Sequence, residues 1–174
     1  MIQLFTLILS FFSPTSHEVT VGEFDQFVKA TGYKTTAEIE GWSFVARSVQ
    51  KFDAIKSAYW LKPDGINEAP DNHPVTQVSW YDAVAYCQWR GVELYTIKDW
   101  KASAEWKNPN ISGKILSQTK AWNGNVWEWT KEGAAIGGSY LCSVNTCAGY
   151  TEGKAVHWPG KDAGSNNIGF RVKN

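Results

Sequence analysis

The chain has 174 residues, enough for one domain with a sizeable core and too few for two. Its 17 basic and 17 acidic residues give a formal net charge of zero, so nothing in the composition indicates binding to nucleic acid or to an anionic membrane. With 43% hydrophobic residues but no apolar run of about 20, we expect a folded monomer without a membrane span.

The chain is rich in aromatic residues and holds an odd number of cysteines. Ten Trp, seven Tyr and eight Phe suit a tight core, and together they indicate one exposed aromatic groove. Three cysteines are not the even number of a disulfide framework. The count favours a reducing compartment, and hence the cytoplasm, or thiols that take part in chemistry.

Residues 1–16 allow two interpretations. Residues 1–12 are apolar enough for a signal peptide, which would mean secretion, but no Lys or Arg precedes them. Alternation and β-branching in residues 3–9 favour a buried strand instead.

Capping signals predict three helices. Residues 20–32 begin with Thr20 and Glu23 in a capping-box pattern and end at a glycine. A second helix begins at Ser79 and carries Cys87 on its apolar face, where we expect a buried structural thiol. A third, short helix begins at Thr96.

The rest of the chain is poor in periodic patterns. Residues 74–78 are predicted to form a short strand, and residues 108–174 short segments and turns. Few helices followed by a loop-rich β half predict a single α+β domain. Residues 33–72 are expected to form a long irregular excursion whose aromatic side chains need burial: Trp42, Phe44, Phe52, Tyr59 and Trp60.

Cys142 and Cys147 stand five residues apart, shortly after the glycine pair at residues 137–138. From the residues alone they could form a disulfide, do nothing or hold a soft metal. Thiolates select Cu(I), zinc or iron–sulfur clusters. Two alone leave a closed zinc or cluster site short of ligands, whereas a low-coordinate Cu(I) ion keeps room for a substrate.

Five blocks, in this order, resemble the formylglycine-generating enzyme (sulfatase-modifying factor) family. They are residues 18–24 (EVTVGEF), 73–87, 124–129 (GNVWEW), 137–140 (GGSY) and 167–171 (NIGFR). The resemblance implies one domain over residues 1–174, a variant of the C-type lectin fold with a few short helices, small antiparallel sheets and much irregular loop.

The resemblance also implies a copper-dependent oxidase. In the catalytic branch of the family, GGSY is followed by two cysteines at the spacing seen here, which implies that Cys142 and Cys147 bind Cu(I) as thiolates. A cysteine of a peptide or protein substrate then completes the coordination and is oxidised by O2 to formylglycine, through hydrolysis of a thioaldehyde. By the same match, Ser139 and Asn167 line the oxygen and substrate pocket.

A calcium ion is the second cofactor that the resemblance implies. Residues 124–128 match a block that holds calcium in the family, with Asn125, the Val126 carbonyl and Glu128 as oxygen donors. The residues alone also fit a tight turn stabilised by Asn125.

Four further residues are candidate substrate contacts. Trp60 resembles a family block near the substrate groove, although simple packing explains it as well. Tyr150, His157 and Trp158 fall in the segment that shapes the pocket in this fold.

Three departures from the family pattern leave an alternative function open. Residues 148–154 (AGYTEGK) replace an arginine-rich stretch of the family. Residues 93–100 (ELYTIKDW) keep the helix of the corresponding family block but not its functional side chains. The segment between Trp106 and Trp122 is shorter than in the family. The alternative is a non-catalytic, lectin-like binding or display protein that uses the aromatic groove for a protein or glycan ligand. A different oxidation at the same copper dithiolate is a third interpretation.

Overall fold

The computed structural model describes residues 17–104, 109–117, 122, 124–143, 146–147 and 156–173. The strand predicted in residues 3–9 and the candidate contact Tyr150 lie outside these residues. The described helices and strands, in chain order, are α1 (Val21–Thr31), α2 (Thr36–Glu40), β1 (Trp42–Ser48), β2 (Lys51–Lys56), α3 (Trp80–Arg90), β3 (Glu93–Leu94), α4 (Ile97–Ser103), β4 (Trp127–Trp129), β5 (Ala135–Ile136), β6 (Val156–His157), β7 (Ile168–Phe170) and β8 (Val172–Lys173).

The three predicted helices are confirmed as α1, α3 and α4. The Thr20 hydroxyl accepts from the Glu23 amide while the Glu23 carboxylate accepts from the Thr20 amide, which completes the predicted capping box. Ser79 caps α3 in the same way, and Thr96 caps α4. Cys87 is buried on α3, as expected for a structural thiol.

Residues 33–72 are more regular than the sequence patterns predict. Thr35 and Glu38 form another capping box and begin α2, and a β1–β2 hairpin follows. Contrary to the expectation, not all aromatic side chains of this segment are buried. Trp60 is buried, whereas Trp42, Phe44 and Phe52 are exposed at 37%, 36% and 47%, because alternation along the hairpin turns them away from the core.

The sheets are small, and one pairing is parallel. The largest described sheet has the strand order β6-β5-β4-β7, with β4 parallel to β7 and antiparallel to β5. Strands β3 and β8 form a separate antiparallel pair. The strand predicted at residues 74–78 is wrong as a strand, because only an isolated bridge between Thr20 and Pro74 forms there.

An aromatic core holds α1 and α3 against β7. Phe24 stacks on Tyr86 with ring centroids 5.9 Å apart, and the Tyr86 ring meets Phe170 edge-on at 5.3 Å. All three are fully buried. This packing fixes β7, and with it the residues that immediately precede β7. No helix within the described ranges has the length and apolar character needed to cross a bilayer.

Candidate functional site

A sharp turn after β5 places Ser139 and the cysteines. Gly137 has a φ of 100°, a backbone conformation that glycine adopts without strain. A Cβ at Gly137 would lie 2.8 Å from the Trp100 ring, so a larger residue does not fit. The glycine therefore lets the chain pass closely over Trp100 and enter the core at Ser139.

Cys142 and Cys147 form a disulfide, with Cα atoms 5.5 Å apart. Cys142 is buried, and Cys147 is partly exposed. The Ser139 amide donates to Cys142 Sγ at 3.3 Å, and the Cys142 amide donates to the Ser139 carbonyl at 2.9 Å. Of the alternatives left open by the sequence, the structure contains the oxidised pair.

Asn167 lies against the same turn. Its Nδ2 donates to Ser139 Oγ at 3.2 Å, and its Oδ1 accepts a short hydrogen bond from the Ser165 hydroxyl. The Trp127 amide donates to the Asn167 carbonyl at 2.9 Å, which ties Asn167 to β4. The structure thus brings the predicted residues Ser139, Asn167, Cys142 and Cys147 into one cluster.

The reduced cysteine pair fits a Cu(I) ion. Two adjacent sulfurs are the soft donors that Cu(I) prefers, and the Ser139 amide would stabilise a thiolate at Cys142. Within the described parts of the chain, no group of three or more His, Cys, Asp or Glu residues gathers to form a closed metal site.

The predicted calcium ligand Glu128 is used in a buried ion pair instead. Its Oε1 lies 2.9 Å from Arg171 Nη2, and its Oε2 accepts from Arg171 Nε at 3.1 Å and from Trp100 Nε1 at 2.7 Å. Both charged side chains are buried. A calcium ion at Glu128 would face the guanidinium, so this carboxylate does not fit the cation.

The Asn125 side chain belongs to a second buried network, which consists of hydrogen bonds. Its Oδ1 accepts from Asn110 Nδ2 and from the Leu116 amide, both at 2.9 Å, and its Nδ2 donates to Glu18 at 3.0 Å. The side-chain oxygen is therefore occupied by protein donors. The side-chain donors that the calcium prediction names, Asn125 and Glu128, thus have protein partners, and Asn125 stabilises a turn, as the alternative interpretation has it.

The predicted substrate contacts lie in different places. Trp60 is 4% exposed and the centroids of its ring and the Phe24 ring lie 5.5 Å apart, so it packs in the core, as the alternative interpretation has it. Trp158 is 63% exposed. His157 lies beside the Trp127 ring, at a centroid distance of 6.1 Å, and partial desolvation lowers the pKa of its imidazole.

Asn166 is a site residue that the sequence analysis missed. Its Oδ1 accepts from the Ala46 amide at 2.7 Å, and its Nδ2 donates to the Ala46 carbonyl and to the Tyr140 hydroxyl at 3.3 and 3.2 Å. It thus joins the β1–β2 hairpin to the GGSY turn. The run of polar residues at 165–167, directly before a buried strand, is the signal that could have identified it.

Comparison with known proteins places the chain in a family. A family model described as "Sulfatase-modifying factor enzyme 1-like domain" matches residues 6–114. The chain belongs to this family. The matched residues end before Ser139, so the cysteine site lies beyond them and its geometry is an independent observation.

Individual relatives extend the match. "Formylglycine-generating enzyme" of Mus musculus is 28% identical over 240 residues, covering 90% of this chain and 64% of that protein. "Inactive C-alpha-formylglycine-generating enzyme 2" of Bos taurus is 28% identical over 222 residues, covering 88% and 73%. The chain thus spans less than two thirds of the length of the mouse protein.

A solved structure supports the fold. PvdO from Pseudomonas aeruginosa superposes with a TM-score of 0.62 at 14% sequence identity, covering 90% of this chain and 77% of that chain. At this identity the likeness concerns the fold alone. The predicted α+β fold of the formylglycine-generating type is confirmed.

Proposed function

We propose that this chain is a copper-dependent oxidase of the formylglycine-generating type, which uses O2 to convert a cysteine of a peptide or protein substrate into formylglycine. The observation that carries the proposal is the cluster of Cys142, Cys147, Ser139 and Asn167, in which a buried cysteine and a half-buried cysteine are joined. Membership of a family with formylglycine-generating members supports it.

The overall reaction requires an external reductant. The thiol-bearing β-carbon of the substrate cysteine and O2, with two electrons and two protons from an external thiol, give a thioaldehyde and two water molecules. Hydrolysis of the thioaldehyde then releases hydrogen sulfide and leaves the aldehyde. The same external thiol would first reduce the Cys142–Cys147 disulfide, since only the thiolates can bind the metal.

The residues of this chain have distinct tasks in the proposal. Bound Cu(I) would supply the one-electron chemistry that O2 requires. The Ser139 amide holds the Cys142 sulfur in place and, in the reduced protein, would donate its hydrogen bond to the thiolate that binds the metal. Asn167 orients the Ser139 hydroxyl, and burial of both side chains keeps water from competing for that hydroxyl.

The first test is a Cu(I) titration of the reduced protein against a competing chelator. We expect one ion per chain, with affinity lost in Cys142→Ser and in Cys147→Ser. Cys87→Ala is the matched control, since Cys87 lies buried on α3 and should not contribute to binding. Affinity that survives both serine substitutions would contradict the proposal.

A second candidate function is a binding or display protein without turnover. Similarity to the relative from Bos taurus that is named inactive favours it, as does the replacement of the arginine-rich stretch by residues 148–154. On this alternative the disulfide is a permanent cross-link. Reduction would then destabilise the fold, and it would create neither Cu(I) affinity nor O2 uptake on addition of cysteine peptides.

A further inference from the structure

A pocket of about 260 Å³ lies between α2, the first residues of β1 and residues 162–164. Among the described residues that line it, Glu40 and Asp162 are acidic, and none is Lys or Arg. Neither carboxylate forms an ion pair or a hydrogen bond with another residue in the described parts of the chain. The lining therefore carries two negative charges without a positive charge to balance them.

Gln77 adds an unmet hydrogen-bond acceptor to the wall of this pocket. The side chain is fully buried, and its Nε2 donates to the carbonyls of Phe44 and Pro63 at 3.0 and 2.7 Å. Because both partners are acceptors, the orientation of the amide is fixed, and Oε1 is the atom left over. Oε1 has no partner among the described residues. A buried acceptor without a partner is costly, so binding of a donor there is favoured.

The backbone holds Gln77 firmly at this wall. Its φ of 59° lies in the left-handed region, which residues other than glycine rarely adopt. Its amide donates to the Ser165 carbonyl at 2.9 Å. A Cβ at Gly164 would lie 2.8 Å from the carbonyl carbon of Gln77, so only glycine allows the two segments to approach this closely. Strain of this kind persists at binding sites, where the surrounding structure fixes it.

Two aromatic rings form another side of the pocket. Trp42 and Phe44 share one face of β1, because they are two residues apart in a strand. Their rings meet edge to face, with centroids 5.0 Å apart, and the two residues are 37% and 36% exposed. The face of an aromatic ring attracts a cation, and that of tryptophan does so most strongly. The rings and the carboxylates thus favour the same sign of charge in a ligand.

The hydroxyl groups in the lining already have partners within the protein. The Ser43 hydroxyl donates to the Gly164 carbonyl at 3.1 Å, and the hydroxyls of Thr36 and Ser79 share a hydrogen bond of 2.8 Å. What the pocket offers to a ligand is therefore acceptors and ring faces. A primary ammonium group matches this lining, because it has three donors and no acceptor.

The placement of the acceptors favours an ammonium over a guanidinium. The three unmet acceptors come from separate parts of the chain, since Glu40 ends α2, Gln77 precedes α3 and Asp162 lies before β7. A tetrahedral ammonium can donate in three directions, whereas the planar fork of a guanidinium matches a single carboxylate best.

We infer that this pocket binds the ammonium group of a primary alkylamine, which is either a free amine or a lysine side chain. Glu40, Asp162 and Gln77 Oε1 accept its three hydrogens, and Trp42 covers its alkyl chain. The inference does not depend on the proposed oxidase function, because the lining residues include none of the candidate catalytic residues Ser139, Cys142, Cys147 and Asn167.

The test is a titration of the protein with n-butylamine, followed by ligand-observed NMR at low salt. We expect a Kd on the order of 1 mM, which should weaken as salt screens the carboxylates. The neutral analogue n-butanol should bind at least about ten-fold more weakly. The side-chain amide resonances of Gln77, which report on the pocket without any substitution, should shift as butylamine is added.

Substitutions of exposed residues test the site without disturbing the core. Glu40→Gln and Asp162→Asn should each weaken butylamine binding about three- to ten-fold, and Trp42→Leu about two- to five-fold. Glu68→Gln is the matched control and should leave the Kd unchanged, because Glu68 is an exposed carboxylate that does not line this pocket.

Two further probes separate the sources of the ammonium group and the competing ligand classes. A lysine blocked at both its amino and carboxyl groups should bind within about three-fold of butylamine if lysine side chains are ligands. Failure of that probe alone would identify free amines as the ligands. Equal Kd values for butylamine and butanol would overturn the inference, as would a Kd unchanged in both carboxylate variants. So would n-propylguanidine that binds ten-fold more tightly than butylamine, since the ligand would then be a guanidinium.

Discussion

Asn167 donates a 3.2 Å hydrogen bond to the hydroxyl of Ser139, and this bond connects the start of β7 to the turn that carries Cys142. Both side chains are buried, at 4% and 0% exposure. Ser139 also contacts the Cys142 sulfur through its amide. The position of Ser139 beside the sulfur is therefore set by contacts from two parts of the chain, the turn itself and the residue before β7.

Replacing Asn167 with Ala should separate positioning from metal binding. The substitution leaves the Ser139 and Ser165 hydroxyls without their shared partner, which costs about 1–3 kcal/mol of stability. We expect kcat on a cysteine peptide to fall roughly ten- to hundred-fold, because a misplaced group slows the reaction, while Cu(I) affinity stays within about two-fold. Steady-state kinetics and a chelator titration measure the two effects. An unchanged kcat would show that Asn167 has only a structural role.

The buried pair of Arg171 and Glu128 should be important for stability. Arg171→Met leaves the Glu128 carboxylate charged and without its guanidinium, which we expect to cost about 3–5 kcal/mol in the free energy of unfolding by urea. The double variant Arg171→Met/Glu128→Leu should recover part of that loss. The matched control is Lys131→Met, which breaks an exposed pair with Glu93 and should cost less than about 1 kcal/mol. Equal losses for the two single variants would contradict the argument.

Calcium should not stabilise the fold, because Arg171 and protein amides already occupy the predicted ligands Glu128 and Asn125. An ion bound at about 100 times its Kd would add roughly 2.7 kcal/mol. We therefore expect the same Tm in millimolar calcium and in chelator. A rise of several degrees that disappears in Glu128→Gln would restore the calcium site.

Acid should weaken the α1 cap through Glu23. Partial burial acts to raise the pKa of this carboxyl, but His17, whose Nε2 lies 3.5 Å away, the hydrogen bond from the Thr20 amide and the charge of Arg90 outweigh it and lower the pKa to about 2. A lowered folded-state pKa means that the stabilisation is fully present above the ordinary value of 4.5 and is lost as the pH falls toward 2.

The variant Glu23→Gln tests this pH dependence and keeps the cap, because Gln also serves at this position of a capping box. In urea unfolding followed from pH 6 to pH 2, the wild-type protein should lose about 2–3 kcal/mol more than the variant does. Equal losses of unfolding free energy in both proteins would show that other groups control the loss of stability at low pH.

Local signals sufficed for the helices, and long-range contacts decided the rest. Thr20, Ser79 and Thr96 each carry an acidic residue three positions later, so the helix starts could be predicted from adjacent sequence. Thr35 and Glu38 carry the same signal and were overlooked. The β1–β2 hairpin was missed because its inward face is anchored by Gly164 and Asn166, more than 100 residues away in sequence.

In the candidate site, too, some residues could be predicted from the sequence, and others depend on long-range contacts. The resemblance to the family implied that Cys142, Cys147, Ser139 and Asn167 share one pocket. In the structure Ser139 contacts both Asn167 and Cys142, and Cys142 is bonded to Cys147. The ion pair that Glu128 forms could not be predicted from residues 124–129 alone. Its partner Arg171 comes 43 positions later, and only the parallel pairing of β4 with β7 brings the two side chains together.

The most direct measurement of the central claim is aldehyde formation in a cysteine peptide, trapped with a hydrazine reagent and counted per chain. Protein reduced with an excess of thiol and loaded with one equivalent of Cu(I) in air should give many turnovers, with hydrogen sulfide released in proportion to the aldehyde. Cys142→Ser and Cys147→Ser should give none, and Cys87→Ala should match the wild type. Absence of aldehyde from the folded, copper-loaded wild-type protein would contradict the account, as would equal yields from the wild type and Cys142→Ser.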